Sequence, residues 1–251
     1  MIADRPPLHA GLAAELGRAT RALHDELAGG EDEAFSPRPI GAGEIVALGA
    51  RVRAQLDRSL DLAATAVASG AAAAERLIAA TRRREDAQRR ADRLLAAFAT
   101  EPGAAIRHHG DLHLGQALIG EDGRIMLVDF EGEPARPLAE RRGRASSLRD
   151  VAGMLRSFGY AARVAAGRVD AVAGLDRAKA WEASSRNAFL EAYFAAPSPG
   201  DFLPRTAAGR EAGLDLFELE KAFYELEYEL QNRPDWVETP LAAIERILDR
   251  E

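Results

Sequence analysis

The chain of 251 residues contains no cysteine, and only two of its 33 basic residues are lysines, Lys179 and Lys221. The absence of cysteine excludes disulfide bonds and cysteine-based catalysis. The net charge of −7 argues against a nucleic-acid-binding protein, because such proteins carry a strongly basic surface.

Long apolar runs are also lacking. The most apolar stretch, residues 60–80, is interrupted by charged residues and a glycine, so we expect no membrane-spanning segment. The N-terminus has no basic start followed by an apolar run, which predicts no signal peptide. We therefore expect a cytoplasmic protein.

Apolar spacing predicts a mostly α-helical protein with a small β region (α+β). One helix is predicted over residues 8–27, and two long helices, residues 44–69 and 71–99, are predicted to meet at Gly70. Short extended segments follow, with a hairpin turn at Glu121-Asp122-Gly123. Residues 138–147 are predicted to form an arginine-rich loop, and further helices are predicted from residue 148 onward.

The predicted elements divide the chain into three parts. Residues 1–100 form a helical first part, residues 101–145 carry loops and the hairpin, and residues 146–251 form a second helical part. The middle part holds the densest set of reactive side chains, so we expect the chemistry there.

Two carboxylates and one amide lie in this middle part. Asp111 and Gln116 belong to the segment HHGDLHLGQ, and Asp129 lies near the end of the strand predicted over residues 124–130. Phosphoryl transfer requires a carboxylate that orients the acceptor hydroxyl and further oxygen ligands that hold Mg²⁺ on the nucleotide phosphates. An isolated aspartate is usually an ordinary loop residue, but this combination favours a phosphoryl-transfer site.

Four segments resemble the C-terminal lobe of the aminoglycoside-phosphotransferase-like kinases of the protein-kinase-like superfamily, and above all their maltokinase branch. They are spread over nearly the whole chain and read GLAAELGRATRALHDEL, HHGDLHLGQALI, IMLVDFEGEPARPLAERR with SSLRDVAGMLRSFGYAA, and KAFYELEYELQNRPDW. The resemblance implies a protein-kinase-like C-lobe that is mostly helical, with a small β-hairpin region carrying the catalytic and metal loops.

The resemblance also implies roles for three residues. Asp111 is the catalytic base or the carboxylate that orients the acceptor. Gln116 and Asp129 hold the Mg²⁺ of ATP, with Gln116 standing where the wider superfamily usually has asparagine. Both amides offer the same carbonyl oxygen to a hard cation, so this exchange is chemically tolerable.

Structural roles are implied for neighbouring residues. His109 and Gly110 shape the catalytic turn, and Asp150 stabilises the catalytic loop by binding backbone N–H groups of that loop. His108, His109 and His113 could instead form a transition-metal site. The resemblance favours a structural role for these histidines.

Glu131 and Glu133 follow the metal aspartate. They could bind sugar hydroxyls, bind a second metal ion, or have a structural role only. We keep Glu131 as a candidate substrate-binding residue.

The helix near the C-terminus presents two distinct faces. At about 100° per residue, Lys221, Tyr224 and Tyr228 lie roughly opposite a predicted core face. Tyrosine offers a flat apolar ring and a hydroxyl, which suits a sugar. We therefore predict that these three residues bind the acceptor, with packing against a second domain as the alternative. The predicted core face contains Leu219, Phe223, Leu226 and Leu230.

A maltokinase would transfer phosphoryl from ATP to maltose, giving maltose 1-phosphate and ADP with Mg²⁺ as cofactor. A glucosamine kinase shares the HGD, glutamine and DFEGEP features but would need extra carboxylates for the charged amino sugar. A non-catalytic half-kinase that acts as an interaction or α-glucan-binding module is a third hypothesis.

The resemblance leads us to expect that the ATP-covering N-lobe is missing. In protein-kinase-like enzymes a strand lysine holds the phosphates. Neither Lys179 nor Lys221 lies in a strand-like run, and no glycine-rich loop precedes a strand. The expected partners are a sugar such as maltose and a separate N-lobe or trehalose-synthase domain, with no nucleic acid and no membrane.

Overall fold

The computed structural model describes residues 10–30, 32–33, 35–71, 73–134, 136–167, 171–195 and 202–250. These residues are mostly α-helical, which confirms the predicted fold class. None of the described helices is long and apolar enough to cross a membrane. The helices are α1 (Ala10–Ala28), α2 (Ala42–Ala68), α3 (Ala74–Arg82), α4 (Arg84–Thr100), α5 (Leu138–Arg141), α6 (Leu148–Ala166), α7 (Ala171–Ala195), α8 (Ala207–Asn232) and α9 (Glu238–Leu248). The strands are β1 (Arg38–Pro39), β2 (Ala104–Ala105), β3 (Ala117–Ile119) and β4 (Ile125–Leu127).

The predicted hairpin is present. Strand β3 pairs with β4 in antiparallel register, with Ala117 opposite Leu127 and Ile119 opposite Ile125. The Gly123 N–H donates to the Gly120 carbonyl in the turn between the strands. The hairpin thus begins directly after Gln116 and ends directly before Val128 and Asp129.

The single helix predicted over residues 71–99 was wrong, because the chain bends at Arg83 and forms α3 and α4. Arg83 has ψ near 13°, which interrupts the helical hydrogen bonds. Its guanidinium pairs with Asp249 at 2.7 Å, while that of Arg84 pairs with Asp57 of α2 at 2.8 Å. The sequence carries no glycine or proline at this bend.

The loop predicted over residues 138–147 was wrong at its start, because residues 138–141 form the short helix α5. Pro137 precedes this helix with φ −55°. Its ψ of 145° is extended, so Pro137 is the N-cap residue and the helix begins at the next residue.

The chain divides into two compact units, each assembled from two segments. The first unit contains Met1–Arg38 and Ala104–Phe202, and the second contains Pro39–Gly103 and Leu203–Glu251. The sequence-based division into residues 1–100, 101–145 and 146–251 separates roles rather than compact units, and it stays a prediction.

In the first unit α7 packs against α1 and α6. Its core contains buried aromatic rings, including Phe158 of α6 and Phe189 of α7, whose centroids lie 5.9 Å apart in an edge-to-face arrangement. Such ring pairs add to the free energy gained from apolar burial. The hairpin and the segment 108–116 are held on this helical base.

In the second unit α2, α4 and α8 pack together, and α8 also contacts α9. Leu219, Phe223 and Leu226 are buried, as predicted, whereas Leu230 is only partly buried. The Ser59 hydroxyl donates to the Phe223 carbonyl at 2.7 Å and ties α2 to this face of α8.

Candidate functional site

The segment 108–116 connects β2 to β3 and is fixed at both ends. Before it, Ile106 and Ala145 exchange two backbone hydrogen bonds of 2.9 and 3.0 Å. Within it, Leu112 is buried and the Leu114 N–H donates to the Ser157 hydroxyl of α6 at 3.1 Å. Asp111 lies between these anchors and is half-buried.

Asp150, in the first turn of α6, holds the turn that precedes Asp111. One carboxylate oxygen accepts the His109 N–H at 2.7 Å, and the other accepts the Gly110 N–H at 2.9 Å. Gly110 has φ +86°, a left-handed conformation that glycine adopts without steric cost. The carboxylate thus fixes two consecutive backbone groups of the segment that carries Asp111.

A third donor reaches Asp150 from α1. His24 is fully buried, and its Nε2 atom lies 3.0 Å from the oxygen that also accepts the His109 N–H. The other ring nitrogen of His24 lies 2.8 Å from the Tyr193 hydroxyl of α7, which donates to Ser147. Buried polar side chains from α1, α6 and α7 therefore converge behind the turn formed by His109 and Gly110.

Burial and hydrogen bonding act on this network in opposite directions. Burial opposes ionisation of Asp150, but the hydrogen bonds from His24 and from the Gly110 N–H outweigh it and hold the pKa of Asp150 well below its usual range. Burial raises the pKa of Tyr193 well above its usual value. Asp150 is therefore an anion at neutral pH, and Tyr193 is a neutral phenol.

The rings of His109 and His113 are engaged within the loop. His109 Nε2 lies 2.8 Å from the Val128 carbonyl, and because a carbonyl only accepts, the ring carries its proton on Nε2. His109 Nδ1 then faces the Asp111 N–H at 3.4 Å. His113 Nδ1 accepts the Gly115 N–H at 3.0 Å. These contacts support structural roles for both histidines.

Gln116 and Asp129 meet at the base of the hairpin. The Gln116 amide donates to an Asp129 oxygen at 2.9 Å, and the Val128 N–H donates to the Gln116 carbonyl at 3.0 Å. Asp129 is exposed and has φ +68°, the only positive φ of a non-glycine residue among those described. Backbone strain of this kind is concentrated at functional sites.

The donor set fits Mg²⁺. Carboxylate and amide oxygens are the hard ligands that this ion prefers, and Mg²⁺ commonly takes only one or two protein ligands beside phosphates and water. The exposed position of Asp129 leaves room for such additional ligands. Gln116 and Asp129 are the residues that would hold the ion.

The two glutamates after Asp129 have different environments. Glu131 is exposed, and its backbone carbonyl accepts from Arg141 at 3.3 Å. Glu133 is buried and pairs with Arg136 at 2.7 Å. The Arg136 pair indicates a structural role for Glu133, whereas Glu131 remains a candidate for substrate binding.

The three acceptor candidates lie on α8 in the second unit. Lys221 and Tyr224 are half-buried, with the ammonium 5.3 Å from the ring centroid, and Tyr228 is 43% exposed. Arg233 lies over the Tyr228 ring at 5.3 Å. The rings thus lie off the buried face of α8, as the helical projection predicts.

Sequence reasoning missed His24, Tyr193 and Gly153. A Cβ added at Gly153 of α6 would lie 2.6 Å from the Leu112 carbonyl oxygen, so only glycine allows the loop to approach α6 this closely. His24 follows Leu16 and Thr20 at spacings of four residues on the buried face of α1. This helical spacing could have identified His24 as a buried residue. The position of Gly153 in the sequence gave no indication that it contacts the Leu112 carbonyl oxygen.

Comparison with solved structures shows a kinase-like fold. A solved glucosamine kinase in complex with glucosamine, ADP and inorganic phosphate has a TM-score of 0.75 and 28% identity, covering 95% of this chain and 52% of that chain. A second crystal form gives a TM-score of 0.74 with the same coverage. No protein-family model matches the chain.

Two curated proteins are similar in sequence. A glucosamine kinase of Streptacidiphilus jiangxiensis is 33% identical over 246 residues, 94% of this chain and 49% of that protein. A glucosamine kinase of Mycolicibacterium smegmatis is 32% identical over 145 residues, 56% of this chain and 34% of that protein. The chain therefore spans about half the length of the first relative and about a third of the second. Both relatives are glucosamine kinases, which favours that alternative over the maltokinase interpretation.

Proposed function

We propose that the chain is the part of an ATP-dependent sugar kinase that carries its catalytic and metal residues, with glucosamine as the acceptor. The observation that carries this proposal is the 33% identity to a glucosamine kinase over nearly the whole chain. The loop geometry supports it, because Asp150 fixes the turn before Asp111 and Gln116 contacts Asp129.

Each site residue then has a defined task. Asp111 orients the acceptor hydroxyl and takes its proton, and Gln116 and Asp129 would hold Mg²⁺. When bound, Mg²⁺ neutralises negative charge on the nucleotide phosphates. Asp150 positions Asp111 through the His109 and Gly110 N–H groups.

The hairpin offers a surface for the nucleotide base. Leu118 and Met126 are paired across β3 and β4, so both side chains project from the same face. Their exposed fractions are 48% and 53%, which is high for large apolar side chains beside a polar site. An exposed apolar patch marks a binding surface, and a flat base suits this one.

The acceptor is assigned to α8 through Lys221, Tyr224 and Tyr228. Tyr224 and Tyr228 offer apolar rings and hydroxyls to a sugar, and Tyr228 is 43% exposed. The preference for glucosamine rests on the two curated relatives.

The proposal is tested first by nucleotide binding. Calorimetric titration of the chain with ADP should show saturable binding that depends on Mg²⁺. Asp129→Gly should remove this dependence without unfolding the protein, since glycine adopts φ +68° readily. An ADP affinity that is the same with and without Mg²⁺, and the same in Asp129→Gly, would contradict the metal assignment.

Phosphoryl transfer is tested by ADP release with glucosamine, maltose and glucose as acceptors. We expect glucosamine to be preferred, and Asp111→Asn to lower turnover by about 100-fold or more while Mg·ADP still binds. Equal turnover with maltose would refute the acceptor assignment, and normal turnover of Asp111→Asn would refute the role of Asp111.

A second hypothesis is a non-catalytic half-kinase. Mg²⁺-dependent ADP binding without any acceptor-dependent turnover would favour it. A separate N-lobe or trehalose-synthase partner stays a prediction.

A further inference from the structure

A cavity of about 520 Å³ lies in the first unit beside the segment after Asp129. Phe35, Phe130 and Leu138 provide apolar surface in its wall, and both phenylalanines are large exposed apolar side chains. A concave, largely apolar site with a few polar groups is the usual form of a small-molecule site. This volume is sufficient for one small organic molecule.

Basic side chains line one part of this cavity. Arg141 and Arg142 both contribute to its wall, and Arg141 donates to the Glu131 backbone carbonyl at 3.3 Å. Arg107 adds a third guanidinium, which donates to the Arg142 carbonyl at 2.7 Å and lies over the Phe35 ring. Glu131 is the one carboxylate in the wall. Positive charge therefore exceeds negative charge in the lining.

Two buried polar atoms in the same wall have no hydrogen-bond partner among the described residues. They are Nε of Arg141 and Nδ1 of His108. A buried polar nitrogen without a partner carries a substantial free-energy cost, so each such atom requires an explanation. Both nitrogens are closed off from solvent, so a ligand in the cavity would contact the outer guanidinium nitrogens of Arg141 rather than its Nε.

The charge balance distinguishes between possible ligands. A carboxylate carries one negative charge, whereas a phosphomonoester carries about −1.5 to −2 at neutral pH and offers three acceptor oxygens. Several guanidinium groups facing one carboxylate match the larger charge, and arginine binds phosphate through two parallel hydrogen bonds. Phe35 and Phe130 would cover a ring or another flat body attached to the phosphate.

We propose that this cavity is a binding site for a small phosphomonoester with a flat or ring-shaped body. Arg141 and Arg142 bind its phosphate, and Phe35 packs against its body. The cavity adjoins the Gln116–Asp129 pair, because Phe130 and Glu131 in its wall directly follow Asp129, but neither Gln116 nor Asp129 lines it. The proposal does not rest on the proposed kinase activity. It would allow the chain to respond to a phosphorylated metabolite.

Calorimetric titration of the chain with phenyl phosphate tests this proposal, with inorganic phosphate and benzoate as comparison probes. We expect saturable binding of phenyl phosphate, weaker binding of inorganic phosphate, and the weakest binding of benzoate. Arg142→Gln, at an exposed position, and Arg141→Gln should each weaken phenyl phosphate binding about tenfold or more, as expected for the loss of a charge-assisted hydrogen bond.

Matched variants separate this site from general electrostatic attraction and from the kinase site. Arg89→Gln removes an exposed arginine of the second unit and should leave the affinity unchanged. Asp111→Asn should also leave the affinity for phenyl phosphate unchanged. A failure of the proposed kinase activity can therefore be told apart from a failure of this binding site. Phe35→Ala should weaken binding of phenyl phosphate but not of inorganic phosphate.

Three results would overturn the proposal. The first is the absence of saturable phenyl phosphate binding. The second is an affinity that is the same in Arg141→Gln, Arg142→Gln and the unsubstituted chain, with circular dichroism showing all three folded. The third is benzoate binding as tight as phenyl phosphate binding, which would assign the cavity to carboxylates instead.

Discussion

Asp150→Asn is the most direct test of how the turn formed by His109 and Gly110 is held in place. Asparagine keeps the shape of the side chain but replaces one oxygen with an amide NH₂ group. Three donors converge on Asp150, from His24, His109 and Gly110. The best arrangement of asparagine keeps its oxygen toward His24 and His109 and turns its NH₂ group toward the Gly110 N–H, so two donors then face each other.

The magnitude follows from this lost contact. A hydrogen bond to a charged group contributes about 1.5–3 kcal/mol, and a buried donor left without a partner costs about 1–3 kcal/mol. Removing a buried charge recovers part of this free energy. We expect Asp150→Asn to lower the free energy of unfolding by about 2–4 kcal/mol, because Asp150 is only 2% exposed.

Urea denaturation followed by circular dichroism measures this difference. Asp176→Asn makes the same chemical change at an exposed position of α7 and should alter stability by less than about 0.5 kcal/mol. Equal stability of Asp150→Asn and the unsubstituted chain would refute the proposal that Asp150 stabilises the turn formed by His109 and Gly110. Loss of turnover with unchanged stability would indicate that Asp150 acts on the reaction rather than on the fold.

The pH dependence gives an independent check on Asp150. Its folded-state pKa is lowered, so the stabilisation is fully present above the unfolded-state value of about 3.9 and is lost as the pH falls further. Asparagine does not titrate. The stability difference between the two proteins should therefore shrink below about pH 4, and a constant difference would contradict ionisation of Asp150.

Three further predictions concern neighbouring contacts. Gly153→Ala should destabilise the protein by about 1–3 kcal/mol in thermal unfolding, because the added Cβ would meet the Leu112 carbonyl oxygen. Gly11 has open space around it, so Gly11→Ala is the control and should be neutral or slightly stabilising. Burial lowers the pKa of His108 to about 4, so this residue should contribute a loss of stability as the pH falls from about 6.5 towards 4, and His108→Asn should flatten that part of a pH–stability curve. Tyr193→Phe should lower the free energy of unfolding by about 1–2 kcal/mol in urea titrations, and an unchanged value would show that its hydroxyl contacts do not stabilise the network.

The choice between glucosamine and maltose shows a limit of motif reasoning. The roles proposed for Asp111, Gln116 and Asp129 concern the phosphates and the reacting hydroxyl, which sugar kinases with different acceptors have in common. The acceptor is distinguished by side chains around the sugar, and no short motif encodes them. The comparisons therefore favoured glucosamine where the catalytic motif alone could not.

The helices illustrate a similar division. The core face of α8 could be predicted from spacing, because burial of Leu219, Phe223 and Leu226 follows directly from the 3.6-residue period. The break at Arg83 could not, because no glycine or proline marks it. In the structure Arg83 and Arg84 pair with Asp249 and Asp57, partners that lie far away in the sequence and that no local pattern identifies.

The sequence by itself determined the mostly helical class, the hairpin and the group of Asp111, Gln116 and Asp129, because turn residues, hydrophobic periods and a dense motif are local signals. Only the tertiary structure decided that His24 of α1 reaches Asp150 and that the Gly153 surface touches the Leu112 carbonyl. Those contacts join residues far apart in the chain. Their geometry depends on how the helices of the first unit pack, which no short segment specifies.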